Sequence, residues 1–226
     1  MDVGSTKCDV VAAARAALGD KLPCFLPAHP IAGKAQAGVD HAEATLYQDR
    51  TLILTPLVHN TPAQIQQATA LWQAIGSRVH PMTPDAHDQT FAAVSHVPHL
   101  LAFAQLNGLL QQPEGEAFLK LAGPGFRDFS RIAAGDPKIW RDIFLANADQ
   151  VLAQLAHFQT ALKELEKSIS VSISQSNITV YESTISVLKK LQKQFRSNYE
   201  SAYNTAVSQY EAKVKLAYAN ATIVER

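Results

Sequence analysis

Apolar positions fall into two patterns along the chain: short β-rich runs between helical patches at first, then long stretches with apolar residues every three or four positions. Residues 8–19 (CDVVAAARAALG) predict an alanine-rich helix closed by Gly19. Residues 22–28 predict a short strand running into His29, and TLILT at 51–55 a second one stopped by Pro56. Thr61-Pro62 opens a helix that runs to about Ile75, with Thr61 as N-cap, Pro62 at the first helical position and Gly76 past the end. A further strand is expected from Arg78 to Met82. Helix alternating with short strand predicts parallel α/β structure. The pattern starts at Met1 as though earlier strands of the sheet were missing.

From Thr83 the character changes. Thr83-Pro84-Asp85 begins a long helical stretch, and a Gly/Pro loop is expected around residues 123–125. A second long helix is predicted from about Pro137 toward Glu166, on the spacing of Ile139, Ile143, Phe144, Val151, Leu152, Leu155, Phe158 and Leu162. The tail from Tyr181 repeats that spacing through Ile185, Leu188, Leu191, Phe195 and Tyr199. Between them, SISVSIS at 168–174 alternates strictly and predicts a strand, although Ile169 and Ile173 also suit one helix face. No tandem repeat interrupts the pattern.

Composition narrows the class. The 226 residues are 47% hydrophobic and 18% charged, as in ordinary globular proteins. Twenty basic and 20 acidic residues cancel, which argues against a nucleic-acid binder. Two cysteines, Cys8 and Cys24, make no disulfide framework and fit a reducing cytoplasm. Charges at Asp2, Lys7, Asp9 and Arg15 interrupt any secretory signal, and no apolar run is long enough to span a bilayer. Asn177 and Asn220 match the glycosylation pattern and are read as chance matches.

Four segments concentrate polar residues beside glycine or proline. His29 follows a predicted strand, at the end where open α/β sheets place ligands, and an imidazole there either accepts a proton near neutrality or merely caps a loop. Ser5 and Lys7 precede a helix start, where backbone N–H groups attract an anion or an ordinary capping side chain. His96 and His99 share a helix face, and Pro98 crowds the carbonyl of Val94, predicting a kink that makes a pocket wall. His87 lies on roughly the same face. Three histidines raise the option of a metal site, but no carboxylate stands at zinc-like spacing. Arg127 and Arg131, one turn apart, either grip a carboxylate or pair with Asp128 between them. Trp140-Arg141-Asp142 reads as core packing plus surface charge. The sequence contains no GxGxxG.

Together, DVGSTK (2–7), AHPIAG (28–33), LILTP (52–56), HDQTFAAVSHVPHLLAFA (87–104) and AGPGFRDFSRIAAGDPKIWRDIFLAN (122–147) resemble the prephenate dehydrogenase family, from residue 2 to about 165. The resemblance implies oxidative decarboxylation of prephenate to 4-hydroxyphenylpyruvate with NAD or NADP. It implies that His29 accepts the hydrogen bond or proton of the substrate hydroxyl, and that Ser5 orients His29 beside the nicotinamide, with Lys7 on the cofactor side. Arg131 would bind a substrate carboxylate, helped by Arg127, with His99 lining the pocket and His87 close by. No metal is required. Two departures stand out: the family's phosphate-binding glycine loop lies upstream of DVGSTK, and Ala35 occupies a position that is commonly acidic.

The expectation is therefore an α/β remnant of a Rossmann-like domain, residues 1–82, followed by an all-α helical substrate-binding and dimerisation domain, residues 83–226. Residues 166–226 carry no resemblance. A homodimer acting on a small molecule, with neither nucleic acid nor membrane as partner, is expected. The rival readings are a non-catalytic dimerising fragment, an arogenate dehydrogenase, and a helical metal hydrolase built on His87, His96 and His99.

Overall fold

A computed structural model of the chain describes residues 1–33 and 38–174, together with 189, 190, 192, 193 and 197. Two compact units emerge, Met1–Phe158 and Gln159–Arg226. Helix α1, Cys8–Leu18, ends as expected at Gly19, whose φ of 48° suits a residue without a side chain. The segment expected to be a strand from residue 22 is instead a 3₁₀ turn, Gly19–Cys24, because Pro23 lies inside it. Strand β1 is only Ala28–Pro30, with His29 at its centre.

Strand β2, Thr51–Leu54, is central in a three-stranded sheet. It pairs in parallel with β3, Arg78–Pro81, across helix α2, Pro62–Ala74, whose start is fixed by a Thr61/Gln64 capping box. Against β1 it runs antiparallel, with His29 opposite Ile53, so the sheet is mixed where a parallel one was expected. Leu26, Ala28, Leu52, Leu54, Ala68 and Trp72 form the core between the sheet and α2. At roughly 1.5–3 kcal/mol for each large side chain removed from water, this core holds β1 rigidly.

Helix α3, Pro84–Phe91, starts at the Thr83 cap and passes into a π-helical stretch, Ala92–His96, before α4, Val97–Leu110. The wide turn sits where Pro98 was expected to distort the ladder: the ring removes a donor and crowds the preceding turn. Helices α5, Gly115–Lys120, and α6, Pro124–Ser130, follow, then a 3₁₀ turn, Arg131–Ala134. Thus Gly123 only precedes α6, and Arg127 lies inside a helix rather than after a flexible loop.

The long helix expected from Pro137 is two helices, α7, Pro137–Ala146, and α8, Ala148–Ser174. They separate at Asn147, whose buried amide bonds elsewhere. Residues 168–174 continue α8, so the predicted strand is helix: Ser168 Oγ donates to the Glu164 carbonyl one turn back, at 2.8 Å. A smaller core joins Ala92, Val97 and Val151 with Leu100, Leu101 and Phe144. The tail from Tyr181 and the position of Ala35 lie outside the described residues, apart from the five named above. Among the described residues no helix is long and apolar enough to cross a membrane.

Candidate active site

Strand β1 and helices α3, α4 and α7 enclose a cavity of about 660 Å³, lined by Ser5, His29, Phe91, His96, His99 and Trp140 among others. Pro27 just before the short strand, Pro30 at its end, and the central place of His29 in β1 set the imidazole at the rim of the sheet. Its Nδ1 lies 2.8 Å from Nε2 of His87, and Nδ1 of His87 lies 2.7 Å from Oδ1 of Asp88. Both α3 residues are buried, His87 completely. The Phe91 ring, one turn further on, packs against both imidazoles at centroid distances of 5.0 and 4.5 Å.

Asp88 is also the cap of α1. The backbone N–H groups of Lys7 and Cys8 donate to its two carboxylate oxygens, each at 2.8 Å. The anion expected at this helix start is therefore a side chain from α3. Burial alone would raise the Asp88 pKa, but bonds from His87 and the two backbone donors outweigh it and hold the carboxyl below its ordinary value. The Lys7 ammonium is buried and paired with Asp2, which also accepts from the backbone N–H of Gly4 and Ala28. Burial lowers the Lys7 pKa against the pull of Asp2. Lys7 thus braces the approach to β1 rather than facing the cavity. Cys8, beside Asp88 and Asp85, is pushed up to about 12, chiefly by burial, and stays a thiol.

On the helical side, Asn147 organises His96. Its Nδ2 donates to the Asp88 carbonyl at 2.8 Å, which fixes the amide's orientation, and lies 3.2 Å from Nδ1 of His96. A neutral His96 then accepts at Nδ1 and carries its proton on Nε2. His99 bonds the Ser95 carbonyl at 2.9 Å and stacks on Trp140, with centroids 3.6 Å apart and planes 20° apart. Burial lowers His29 to about 3, with His87, Lys7 and His96 adding to the effect, and lowers His96 to about 4. His99 is lowered too, first by burial and then by the Arg131 charge, against the Ser95 bond. Both His29 and His96 are therefore neutral at pH 7. A neutral His29 can accept a hydrogen bond, in a cavity whose walls are otherwise mostly carbon.

Of the sequence candidates, Ser5, His29 and His99 meet at the cavity, and His87 stands directly behind His29. Arg131 lies at the start of the turn leading to Gly135 and Asp136 on the cavity wall, near enough to act on His99. Arg127 and Arg131 are exposed, and neither forms an ion pair with Asp128 among the described residues. His87, His96 and His99 have separate partners, and among the described residues no three ligating groups gather for a metal. Trp140 is a cavity wall and not the core filler expected. Sequence reasoning missed Asp88 and Asn147. Asn147 had a signal, since asparagine interrupts an otherwise apolar helix and disfavours the helix interior.

Residues 1–81 match the family model "Prephenate dehydrogenase, nucleotide-binding domain", and residues 83–181 match "Prephenate dehydrogenase, dimerization domain". This chain belongs to the prephenate dehydrogenase family. The match reaches residue 181, further than the motifs themselves, which gave out near Glu166. The chain is 39% identical over 175 residues to the cyclohexadienyl dehydrogenase of Zymomonas mobilis, covering 75% of this chain and 58% of that protein. It is 33% identical over 167 residues to the prephenate dehydrogenase of Bacillus subtilis, covering 74% of this chain and 44% of that one. The chain thus spans about half the length of these curated relatives. A prephenate dehydrogenase from A. aeolicus, solved with hydroxyphenyl propionate and NAD+, superposes with a TM-score of 0.71 at 34% identity, covering 85% of this chain and 65% of that one. Within the family's α/β-then-helical plan, His29 stands on the nucleotide-binding side, and His87, Asp88, His99 and Arg131 on the helical side.

Proposed function

We propose that the chain forms the substrate pocket of a nicotinamide-dependent prephenate dehydrogenase, which converts prephenate to 4-hydroxyphenylpyruvate. The observation that carries this reading is His29, held neutral chiefly by burial at a mostly apolar cavity and bonded to a buried partner, with the Arg131 charge acting on His99 in the same cavity. Prephenate needs an acceptor for the hydroxyl proton, a cation for a carboxylate and a dry wall for the ring. Nε2 of His29 takes the hydroxyl proton as the ring aromatises and carbon dioxide departs. Arg131, helped by Arg127, holds a carboxylate, and Trp140 stacked on His99 packs against the ring. When bound, NAD or NADP supplies the hydride acceptor. Ser5, on the cavity beside His29, would contact its nicotinamide end, and the hydroxyl there suits a carboxamide.

On this reading residues 1–82 belong to the nucleotide-binding half and 83–226 to the helical half, and the protein is a cytoplasmic homodimer. Exposed Ile139 and Leu145 on α7 and Leu152, Leu162 and Ile169 on α8 support a second copy as partner. Light scattering is expected to give twice the chain mass. Calorimetric titration with prephenate tests the pocket itself: saturable binding is expected, and Arg131→Ala should abolish or greatly weaken it. Absence of binding by the wild-type chain would overturn the reading.

A further inference from the structure

His87 was expected beside the substrate, yet it is completely buried and its two ring nitrogens are both engaged, one by Asp88 and one by His29. That arrangement has a directional consequence. Asp88 is held as a carboxylate by two backbone N–H donors and can only accept. A neutral His87 must then place its proton on Nδ1, facing Asp88, which leaves Nε2 bare. The 2.8 Å contact to His29 therefore needs a proton on Nδ1 of His29, and Nε2 of His29 is left without one. We infer that Asp88 and His87 are positioning residues that lock His29 in its Nδ1–H tautomer, so that the nitrogen left for the cavity is a bare acceptor.

The inference deepens the proposed function, and rests on it for its purpose but not for its test. A free imidazole favours the opposite tautomer, with the proton on Nε2, and in that form His29 would offer the substrate hydroxyl a donor where an acceptor is needed. With the lock in place the step balances: the substrate O–H bond breaks and an Nε2–H bond forms as the ring carbon gives up its hydride to the nicotinamide acceptor. His29 becomes an imidazolium still donating from Nδ1 to His87, and the proton returns to the phenolate oxygen once carbon dioxide has left. The groups facing this pair are Lys7 with Asp2 from the chain start, His96 from the π-helical stretch, and Phe91. Asp88 therefore has a buried ammonium near it already, and a second buried cation on His87 would carry a large desolvation cost.

The lock can be read without turnover, by two-bond proton–nitrogen correlation spectra of ¹⁵N-histidine-labelled chain at pH 7. Signals are assigned with His29→Gln and His87→Gln variants. His29 and His87 are both expected as Nδ1–H tautomers. A proton on Nε2 of His29 in the wild type, the pattern that a His87 imidazolium would impose, overturns the proposal. In Asp88→Asn the carbonyl oxygen can keep the place of Oδ1, which accepts from both Lys7 and His87, so both rings should stay Nδ1–H. Because Asp88 also caps α1, His87→Phe serves as a second variant: it keeps the ring volume and removes both bonds, and His29 should revert to Nε2–H. Retention of the Nδ1–H form in His87→Phe would show that something else sets the tautomer. Failure of prephenate to bind would sink the proposed function while leaving these spectra unchanged.

Discussion

The two walls of the cavity are built on opposite principles. On the sheet side, where α3 reaches across to β1, the buried charged groups have fixed partners: Lys7 with Asp2, Asp88 with two backbone amides and His87, His87 with His29. On the helical side, Trp140 lies flat on His99 while Arg127 and Arg131 stand in solvent. The first wall is finished before any ligand arrives, and its cost is met by burial of β1 and α3. The second keeps its charges hydrated. Chemistry that depends on one lone pair belongs on the first wall, because a tautomer must be set in advance. Capture of a charged molecule belongs on the second, where an arginine can search for a carboxylate without a desolvation cost beforehand.

If the contrast is right, damage to the first wall should appear as instability. Asp88→Ala strips the cap from α1 and leaves His87 buried without its acceptor, so a loss of about 2–5 kcal/mol is expected in urea unfolding. A loss below about 1 kcal/mol, the size of a surface pair, would mean that the wall is not preorganised. Acid probes the same wall more gently. His29 and His96 have folded pKa values of about 3 and about 4 against an ordinary 6.5, so the unfolded chain binds protons that the folded one refuses. Stability from these groups is full above pH 6.5 and falls as pH drops toward 4, by up to about 1.4 kcal/mol per pH unit for each. His29→Gln should flatten that slope in pH-dependent melting, and an unchanged slope would place the acid sensitivity elsewhere.

How far the sequence foretold each wall follows the same division. Element starts were legible because they depend on local chemistry: Thr61-Pro62 and Thr83-Pro84 begin helices where expected. The places of His29 and Ser5 at the cavity, and of Arg131 near His99, were legible through short motifs. Asp88's work was not, since its partners Lys7 and Cys8 lie some eighty positions away and no local pattern encodes such a bond. The antiparallel β1 was hidden for the same reason: three residues carry no sign of direction. Asn147 was visible but overruled by the apolar spacing around it. SISVSIS misled because alternation at period two was weighed above the i, i+4 pair it also contains.

The arginines of the helical wall should respond in affinity and hardly in stability. Arg131→Ala removes an exposed side chain, so unfolding should shift by less than about 0.5 kcal/mol. Prephenate binding should weaken by about 10- to 100-fold, the worth of a charge-assisted hydrogen bond or two. Arg131→Lys should recover only part of this, because an ammonium lacks the planar fork. Loss of stability comparable to that of Asp88→Ala would erase the distinction between the walls.

The smallest expected effect on affinity is also the most local. Gly135 follows the Arg131–Ala134 turn with extended backbone, so any residue fits its dihedrals. Space is what it lacks: a Cβ there would meet Nε1 of Trp140 at 2.5 Å, closer than atoms approach. Gly135→Ala must therefore push the indole, which is stacked on His99. Overpacking of this kind costs about 1–2 kcal/mol, and the stacked pair itself roughly 0.5–1.5. Near-UV circular dichroism of the tryptophan region should change, and prephenate affinity should fall by less than tenfold. His29 should keep its tautomer, since the atoms that a Cβ at Gly135 would meet belong to Trp140 and Ile132. If the His29 spectrum changed as well, the two walls would be mechanically coupled, and the division of labour between them would have to be abandoned.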